Sequence, residues 1–524
     1  MCKHYILILF VIANAIILNA QSTIVIDGIE YDIRNNSAWI ISNNQVRGDV
    51  VIPSEISYDG VIYPIGGFEE STFWRNDSIT SLIIAEGIDT LPYGFCRECK
   101  NLRRISFPST LKYIGGAAFA NCLSLDSISL PAGLRYIDYS AFTNCAHLSS
   151  INIPESLDFS KTIDSCGFIP MIISGQNCIQ QPLHNSRYFL YMPKSYSGKY
   201  SIPDDIEAIA DCAFANCNSI TEVHIPASVR FVGNYAFKKC ISLQTVSIPK
   251  DALLGISTFE DCTDLKNVLF PDGAYCCDGG GAFAACSNIQ TAIHNSRQFV
   301  FLPIDYTGEY CVPQGIEFIA NFAFSNRQNL TSVNIPNGVK AIGDGAFSFC
   351  KNLLKVTVPE SLVYAEGTDF MGDSLLDVVC NKRLMVYLNE KHKGRYSVRK
   401  GIEIICNFAF RGCSNLTAIR LPSSICHIGE YAFVGCSSIK SITVPKNVKT
   451  IGMGVFMNCE QIEHIKILST IPPEVTTNYW EEDVDDESNW MNLPNPTTPI
   501  FVPKEALSTY QSHALWKAYN IQPF

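Results

Sequence analysis

The chain has 524 residues, of which 47% are hydrophobic and 17% are charged. This apolar content excludes a disordered polymer, because enough apolar surface is available to offset the entropy lost on ordering. Lys and Arg total 39 against 50 Asp and Glu, a net charge of −11, which excludes a highly basic nucleic-acid binder. The 22 cysteines are many for an ordinary enzyme and too few for a disulfide-dense miniprotein.

Residues 1–20 are predicted to be an export signal. A short polar start precedes the apolar run 5–12, and Ala20 ends the segment with a small residue suited to cleavage. A membrane anchor is the alternative, but the run is short and is interrupted by Asn14. No later stretch reaches the roughly 18–20 apolar residues of a spanning helix. We therefore expect an exported chain without a transmembrane anchor, located at the cell surface, in the periplasm or in the medium.

A unit of about 23 residues recurs between Phe73 and Phe456, with the pattern A-F-x-x-C-x-x-L-x-x-I-x-I-P-x-x-V-x-x-I-G. The alternation I-x-I predicts a short strand that Pro ends, and V-x-x-I predicts a second short extended piece. Apolar residues three apart in F-x-x-C-x-x-L indicate a tight helical turn. One such coil cannot bury its apolar face alone, so the coils are predicted to stack into a solenoid with a parallel sheet along one side.

Three segments interrupt the short period, near 171–210, 289–320 and 376–406. They share an Asn-x-Arg motif, which occurs at Asn185, Asn295 and Asn381. They also share a Gly-x-Tyr motif, which occurs at Gly198, Gly308 and Gly394. Apolar runs next to these motifs predict a hairpin-like insertion in each segment.

The repeat resembles the leucine-rich repeats of the bacterial surface protein A (BspA) type, with almost unaltered copies at 214–233 and 410–429. The resemblance implies a β-rich, right-handed leucine-rich-repeat solenoid over 67–470. It implies β caps at both ends, in the regions 21–66 and 471–524. Members of this family are placed outside the cytoplasm and bind proteins or glycans, and no enzyme activity goes with the family. The resemblance leaves the ligand open.

A cysteine pair and an acidic run are the possible metal sites in the sequence. Cys96 and Cys99 have the spacing of a metal-binding pair, but repeat register explains both, because Cys96 holds a Phe position. The acidic run 481–487 is predicted to be a solvated loop, with a Ca²⁺ site as the alternative, although it lacks the register of a known calcium loop. We expect no catalytic residue, metal or cofactor.

Eleven cysteines are expected to form a ladder, one in each coil, three residues after the Phe position. They are Cys99, Cys122, Cys145, Cys217, Cys240, Cys262, Cys286, Cys350, Cys413, Cys436 and Cys459. Arg327 and Asp373 replace Cys in two coils, which leaves Cys350 without an adjacent partner. We therefore predict reduced, buried ladder thiols.

Two surfaces are candidates for ligand binding. The outward residues of the I-x-I strands form a strand face: Ser127, Ser129, Ser150, Asn152, Glu222, His224, Thr245, Ser247, Ser332, Asn334, Lys355 and Thr357. Simple solvation is the alternative role of these side chains. Aromatic residues five positions after the Pro form an aromatic stripe, represented by Tyr113, Tyr136 and Phe231. The stripe could stack on sugar rings or pack between coils.

These patterns favour an exported, non-enzymatic binding or adhesion protein that presents its repeat surface to host or extracellular macromolecules. A glycan-binding protein in nutrient capture and an envelope scaffold without a specific ligand are the alternatives. The partner is expected to be an unidentified protein or glycan and not a nucleic acid.

Overall fold

The computed structural model describes residues 23–41, 45–159, 173, 179–277, 281–365, 367–370, 372, 375–476 and 490–524. The predicted export signal and the acidic run 481–487 lie outside these residues. The chain is a β-solenoid of about 19 turns with coils of about 23 residues and little helix. It divides into two compact units, Met1–Phe259 and Glu260–Phe524.

The first unit begins with a five-stranded sheet in which most neighbours are antiparallel. Its strands are Thr23–Ile26, Ile29–Arg34, Ser37–Ile40, Val61–Phe68 and Glu55–Tyr58, in spatial order. Gly48–Ile52 lies within the predicted cap region but pairs in parallel with Ile79–Ile84, as the strands of the coils do. The parallel stacking of the coils therefore starts before residue 67.

Each regular coil contributes one short strand to each of two parallel ladders. The first ladder consists of the I-x-I strands, which in the first unit are Gly48–Ile52, Ile79–Ile84, Arg104–Ser106, Ser127–Ile128, Ser150–Ile151, Ser197–Ser201, Ser219–His224 and Thr245–Ser247. The second ladder consists of the V-x-x-I strands, which in that unit are Thr90–Leu91, Tyr113–Ile114, Tyr136–Ile137, Tyr188–Tyr191, Ala208–Ile209, Phe231–Val232 and Leu253–Leu254.

The second unit continues both patterns. Its first-ladder strands are Asn267–Leu269, Gly308–Cys311, Leu330–Asn334, Lys355–Thr357, Gly394–Ser397, Leu416–Arg420, Ser441–Val444 and His464–Ile467. Its second-ladder strands are Tyr275–Cys276, Gln298–Phe301, Phe318–Ile319, Ala341–Ile342, Leu384–Leu388, Ile404–Ile405, His427–Ile428, Thr450–Gly452 and Glu474–Thr476. A short 3-10 helix occupies Gly367–Phe370.

The F-x-x-C segment forms tight turns whose N–H groups alternate between two kinds of partner. The Phe119 N–H donates to the Ala141 carbonyl of the next coil at 2.8 Å, whereas the Ala120 N–H donates to Ala117 in its own turn at 3.1 Å. The residue before each ladder Cys has a left-handed backbone, as at Asn121 with φ 63°. Asn tolerates this conformation well, which explains its frequent occurrence there.

The apolar residues of the repeat point into the coil. Phe214 and Phe237 stack with ring centroids 4.6 Å apart, and Phe347 and Phe370 stack at 5.2 Å. Each of these rings is fully buried, which contributes about 2–3 kcal/mol per side chain. The Gly of the I-G pair allows the coils to approach, because a Cβ on Gly343 would lie 2.7 Å from the backbone nitrogen of Asn321. The core is therefore a continuous column within each unit.

Each of the three interruptions contains a short antiparallel hairpin. The first strands are Leu183–His184, Ile293–His294 and Val378–Cys380. Each pairs with a second strand that also belongs to the second ladder, namely Tyr188–Tyr191, Gln298–Phe301 and Leu384–Leu388. The Gly-x-Tyr segment then forms a first-ladder strand. The second hairpin strand therefore opens a coil, and the chain does not leave the solenoid after it.

We refer to 188–207, 298–317 and 384–403 as the short coils, because their registers, such as Tyr188 with Ala208, advance by 20 residues. The short coils lack the A-F turn of the regular coils. In the first short coil Phe189 takes the place of the missing Phe and stacks on Phe214 at 4.7 Å. Gly308 has φ +88° at a register shift in its strand, a conformation that favours glycine.

The end of the chain closes the last coil. Pro499–Val502 adds to the first ladder beside His464–Ile467, and Asn520–Pro523 pairs with it in turn. Between them lie a 3-10 helix at Lys504–Ala506, an α-helix at Leu507–Ser512 and a 3-10 helix at Trp516–Ala518. The buried Trp516 donates its indole N–H to the Pro473 carbonyl at 3.0 Å. This segment covers apolar residues that the last coil would otherwise expose.

Candidate functional site

Within each unit, the structure places the predicted strand-face residues on the outward side of the first ladder. The central Ile or Val of each strand points inward and is mostly buried, whereas its neighbours point outward, as the period of two requires. Ser127 pairs with Ser150, and Glu222 pairs with Thr245. In the second unit Ser332 pairs with Lys355 and Asn334 pairs with Thr357, so these four residues form a compact patch.

Not every strand-face residue is available to a ligand. The Asn152 amide bridges the neighbouring coil, because its Nδ2 donates to the Leu130 carbonyl at 3.0 Å and its Oδ1 accepts the Leu130 N–H at 2.6 Å. Glu222 forms an ion pair with Lys199 at 2.6 Å. Ser129, Ser247 and His224 are exposed on the same face. Asn152 is thus engaged by the fold, which the sequence pattern did not indicate.

The aromatic stripe contains a stacked pair in the first unit. Tyr113 and Tyr136 lie with ring centroids 5.6 Å apart and an interplanar angle of 4°. The Tyr113 hydroxyl donates to Asp138 at 3.0 Å, and burial together with this hydrogen bond raises the pKa of Tyr113 to about 12. Phe231 pairs on the ladder with Ala208 and Leu253, so its direct ladder neighbours are aliphatic. The structure therefore brings two of the three predicted stripe residues together, in mutual packing.

A cleft opens in the stripe of the second unit, and it was not predicted. Ala341 lies on the second ladder between Phe318 and Tyr364, so the place of one ring is left open between two aromatic side chains. The cleft has a volume of about 330 Å³ and also involves Gln298 and Asn321. Asn321 is only 4% exposed, and its Nδ2 has no hydrogen-bond partner among the described residues. The sequence signal was present: Ala341 and Tyr364 both lie five residues after a Pro.

The Asn-x-Arg motif of the hairpins has a structural role. The buried Asn381 accepts the N–H groups of Arg383 and Leu384 at 2.8 and 2.7 Å, and its Nδ2 donates to the Pro359 carbonyl of the preceding coil at 2.8 Å. Arg383 pairs with Glu403 at 2.9 Å. The same contacts recur at Asn185 and Asn295. The motif thus joins each hairpin to the coil before it.

The eleven ladder cysteines are buried thiols. The thiol of Cys240 donates to the carbonyl of Phe214, the Phe position one coil earlier, at 3.1 Å, and Cys350 donates to Phe324 at 2.9 Å. Burial raises the pKa of Cys145 and Cys459 to about 12. A nucleophilic or metal-binding cysteine requires a lowered pKa, so this environment favours an inert structural thiol.

Arg327 takes a Cys position and is also buried. Its guanidinium donates from Nε to the Leu302 carbonyl at 2.7 Å and lies 4.4 Å from the Phe301 ring centroid. Burial lowers the pKa of Arg327 to about 10. Backbone carbonyl oxygens therefore accept hydrogen bonds from the buried Arg327 guanidinium, which is charged, unlike the thiol at this position in other coils. Asp373, the other replacement, lies outside the described residues.

Within the described part of the chain, no three His, Cys, Asp or Glu side chains come together as a metal ion would require. No helix among those residues is long and apolar enough to cross a membrane.

Comparison with known proteins agrees with the repeat. The model of the BspA type leucine-rich repeat region matches residues 67–173, 188–303, 299–391 and 394–478. A leucine rich cell surface protein from Faecalibacterium prausnitzii is 19% identical, with 88% of this chain and 96% of that chain covered and a TM-score of 0.32. A leucine-rich repeat protein from Bacteroides ovatus is 20% identical, with 96% and 99% covered and a TM-score of 0.29. No curated protein matches the sequence.

Proposed function

Because the chain belongs to the BspA-type leucine-rich repeat family, we propose that it is an exported, non-enzymatic protein that binds or adheres to host or extracellular macromolecules. One observation carries this proposal: the strand face repeats outward polar side chains in register along the first ladder. A partner laid along the ladder would meet hydrogen-bonding groups about 4.8 Å apart from coil to coil.

The patch Ser332, Asn334, Lys355 and Thr357 is the part of this face that best suits a protein ligand. Asn334, Lys355 and Thr357 are exposed, and Ser332 is half-buried. Short hydroxyl and amide side chains lose little entropy when a partner immobilises them. A non-enzymatic role agrees with the raised pKa of buried ladder thiols such as Cys145.

A second candidate is capture of a glycan, favoured by the cleft at Ala341. A sugar ring could insert between Phe318 and Tyr364, as aromatic faces stack on apolar faces of other rings. The stripe leaves a ring-sized gap at Ala341, whereas Tyr113 and Tyr136 stack on each other and leave no such gap between them. The Ala341→Trp variant separates the two candidates, since it fills the cleft without touching the strand face.

The experiment that tests the proposal is a binding array with the chain from residue 21 onward against extracellular-matrix proteins and glycans. The proposal predicts saturable binding to at least one macromolecule. Loss of that binding in Ala341→Trp would favour the glycan candidate. An absence of binding to every protein and glycan would contradict the proposal and leave the envelope scaffold as the better account.

A further inference from the structure

Charge is distributed very unevenly along the chain. Residues 380–470 contain 13 Lys and Arg but only 5 Asp and Glu, a local net charge of +8, whereas the whole chain has −11. The remainder of the chain therefore carries −19. Residues that are neighbours in the sequence of a solenoid face different sides of a coil. The structure is therefore needed to tell which of these cations share a surface.

Three of these cations surround the same part of the first ladder. Arg420 ends the strand Leu416–Arg420, and Lys446 follows the strand Ser441–Val444. Lys466 pairs with Thr443 in the next coil. Arg420 and Lys466 stand on either side of the Thr443 coil, so their backbones are about 10 Å apart. Arg420 and Lys446 are exposed, and Lys466 is half-buried beneath the Phe524 ring at 3.7 Å.

A cleft of about 510 Å³ lies between Arg420 and Lys446. Its other walls are apolar or carry hydroxyl groups, and they comprise Ile419, Leu421, Ser423, Thr443, Pro445 and Leu468. No acidic side chain lines it. Within the described part of the chain, Arg420, Lys446 and Lys466 form no ion pair, in contrast to Lys440, which pairs with Glu463 at 3.4 Å.

We propose that this cleft, with Arg420, Lys446 and Lys466, binds an anionic polysaccharide that carries sulfate or carboxylate groups. The cations pair with the anionic groups, Arg420 with the forked geometry that suits carboxylate and sulfate oxygens. Ser423 and Thr443 supply hydroxyl partners, and Leu421 and Leu468 supply an apolar surface for the C–H faces of the rings.

Two features favour a glycan over a nucleic acid or an acidic protein. The side chains that line the cleft are aliphatic, hydroxyl-bearing or cationic, with no aromatic side chain on which bases stack, and the Phe524 ring is engaged by Lys466. A long duplex would also extend over a remainder of the chain that carries −19, and repulsion would oppose its binding. This proposal deepens the binding function proposed above by naming a ligand class and a separate surface.

The test measures binding of the full chain to immobilised heparin, chondroitin sulfate and polygalacturonate at 150 mM NaCl. We expect binding to at least one of them, weakened as the NaCl concentration rises. Preference for the sulfated polymers or for polygalacturonate identifies the anionic group. The triple variant Arg420→Gln, Lys446→Gln and Lys466→Gln should lose at least tenfold in affinity.

The matched control removes three exposed charges elsewhere, with Lys194→Gln, Lys250→Gln and Lys266→Gln, and should keep affinity within twofold. Equal loss in the control, no binding to any polysaccharide, or equal binding to poly-glutamate or duplex DNA would each overturn the proposal. Retained binding to a protein ligand in the triple variant would leave the general binding function intact, so the two failures can be told apart.

Discussion

At the scale of single residues, the ladder cysteine is the most informative position of the repeat. Its side chain is small enough for the turn, and where the preceding coil is regular, as for Cys240, its S–H donates to the carbonyl of the Phe position one coil earlier. The position therefore links adjacent coils through one weak hydrogen bond in addition to apolar packing. The recurrence of Cys at this position reflects the small space and the nearby carbonyl acceptor, and not the reactivity of the thiol.

Cys350→Ala should destabilise its coil by about 1–3 kcal/mol, because the Phe324 carbonyl loses its donor and a small cavity opens. Hydrogen exchange of the backbone amides over 324–353 reports this locally, and the melting temperature reports it globally. Cys311→Ala is the matched control, since Cys311 is exposed and should show no change. Equal effects of the two variants would contradict the role of the ladder hydrogen bond.

Stability should fall in alkaline solution. Burial raises the pKa of Cys145, Cys217 and Cys459 from 9.0 to about 12, so the folded state keeps protons that the unfolded state releases. Their contribution is complete below about pH 9 and is lost as the pH rises towards 12, by about 1.4 kcal/mol per thiol and pH unit. Melting temperatures measured between pH 8 and 10.5 should decline, and a constant value across that range would contradict the account.

The burial of single residues could be predicted from the sequence, but their individual side-chain hydrogen bonds could not. Periodicity alone placed Cys240 and its equivalents inside the coil, because a residue repeated every 23 positions keeps its environment. It could not show that Asn152 bridges to Leu130, since that contact depends on the short strand at Ser127–Ile128 ending early. The repeat pattern does not show which backbone groups, such as those of Leu130, lie beyond a short strand and hydrogen-bond a side chain instead.

At the scale of elements, the short coils are held by their hairpin Asn. Asn381→Ala removes three hydrogen bonds at a site that is 5% exposed and should cost about 2–3 kcal/mol. Thermal unfolding monitored by circular dichroism measures the loss. Arg383→Gln disrupts only a partly exposed ion pair and should cost less than about 1 kcal/mol. A milder effect for Asn381→Ala than for Arg383→Gln would contradict this assignment.

The stacked tyrosines are predicted to serve packing. Replacing both Tyr113 and Tyr136 by Ala should lower stability by about 1–3 kcal/mol, because the stack and its buried area are lost. Ser127→Ala with Ser150→Ala on the strand face should leave melting unchanged. Unaltered melting of the tyrosine variant together with lost ligand binding would instead assign the pair to a binding site.

The interruptions show how far an element can be predicted. The apolar runs beside Asn-x-Arg and Gly-x-Tyr predict a hairpin-like insertion, and the structure has a short antiparallel pair in each interruption. The pattern did not reveal that the second strand of each hairpin, such as Tyr188–Tyr191, is itself a ladder strand. Phe189 could be recognised as a substitute for the repeat Phe only once its stacking on Phe214 was seen.

At the scale of the whole molecule, the repeat strongly restricts the possible chemistry. The ladder thiols lie inside the coils, whereas the predicted strand-face positions of the first ladder are mostly short and polar. The sequence predicted this division because the strand period of two assigns each residue to a side. It could not name the ligand, since single polar residues on a solvated face look alike whether or not a partner meets them.

The most direct test of the account concerns the patch formed by Asn334 and Thr357 on the first ladder. Once the array identifies a ligand, the variant Asn334→Arg with Thr357→Arg is compared with Thr307→Arg and Asn337→Arg, which add the same charge at exposed positions outside the strands. The patch variant should lose at least tenfold in affinity with unchanged melting, whereas the control variant should bind as the parent chain does. Full affinity of the patch variant for the identified ligand would contradict binding through this part of the strand face.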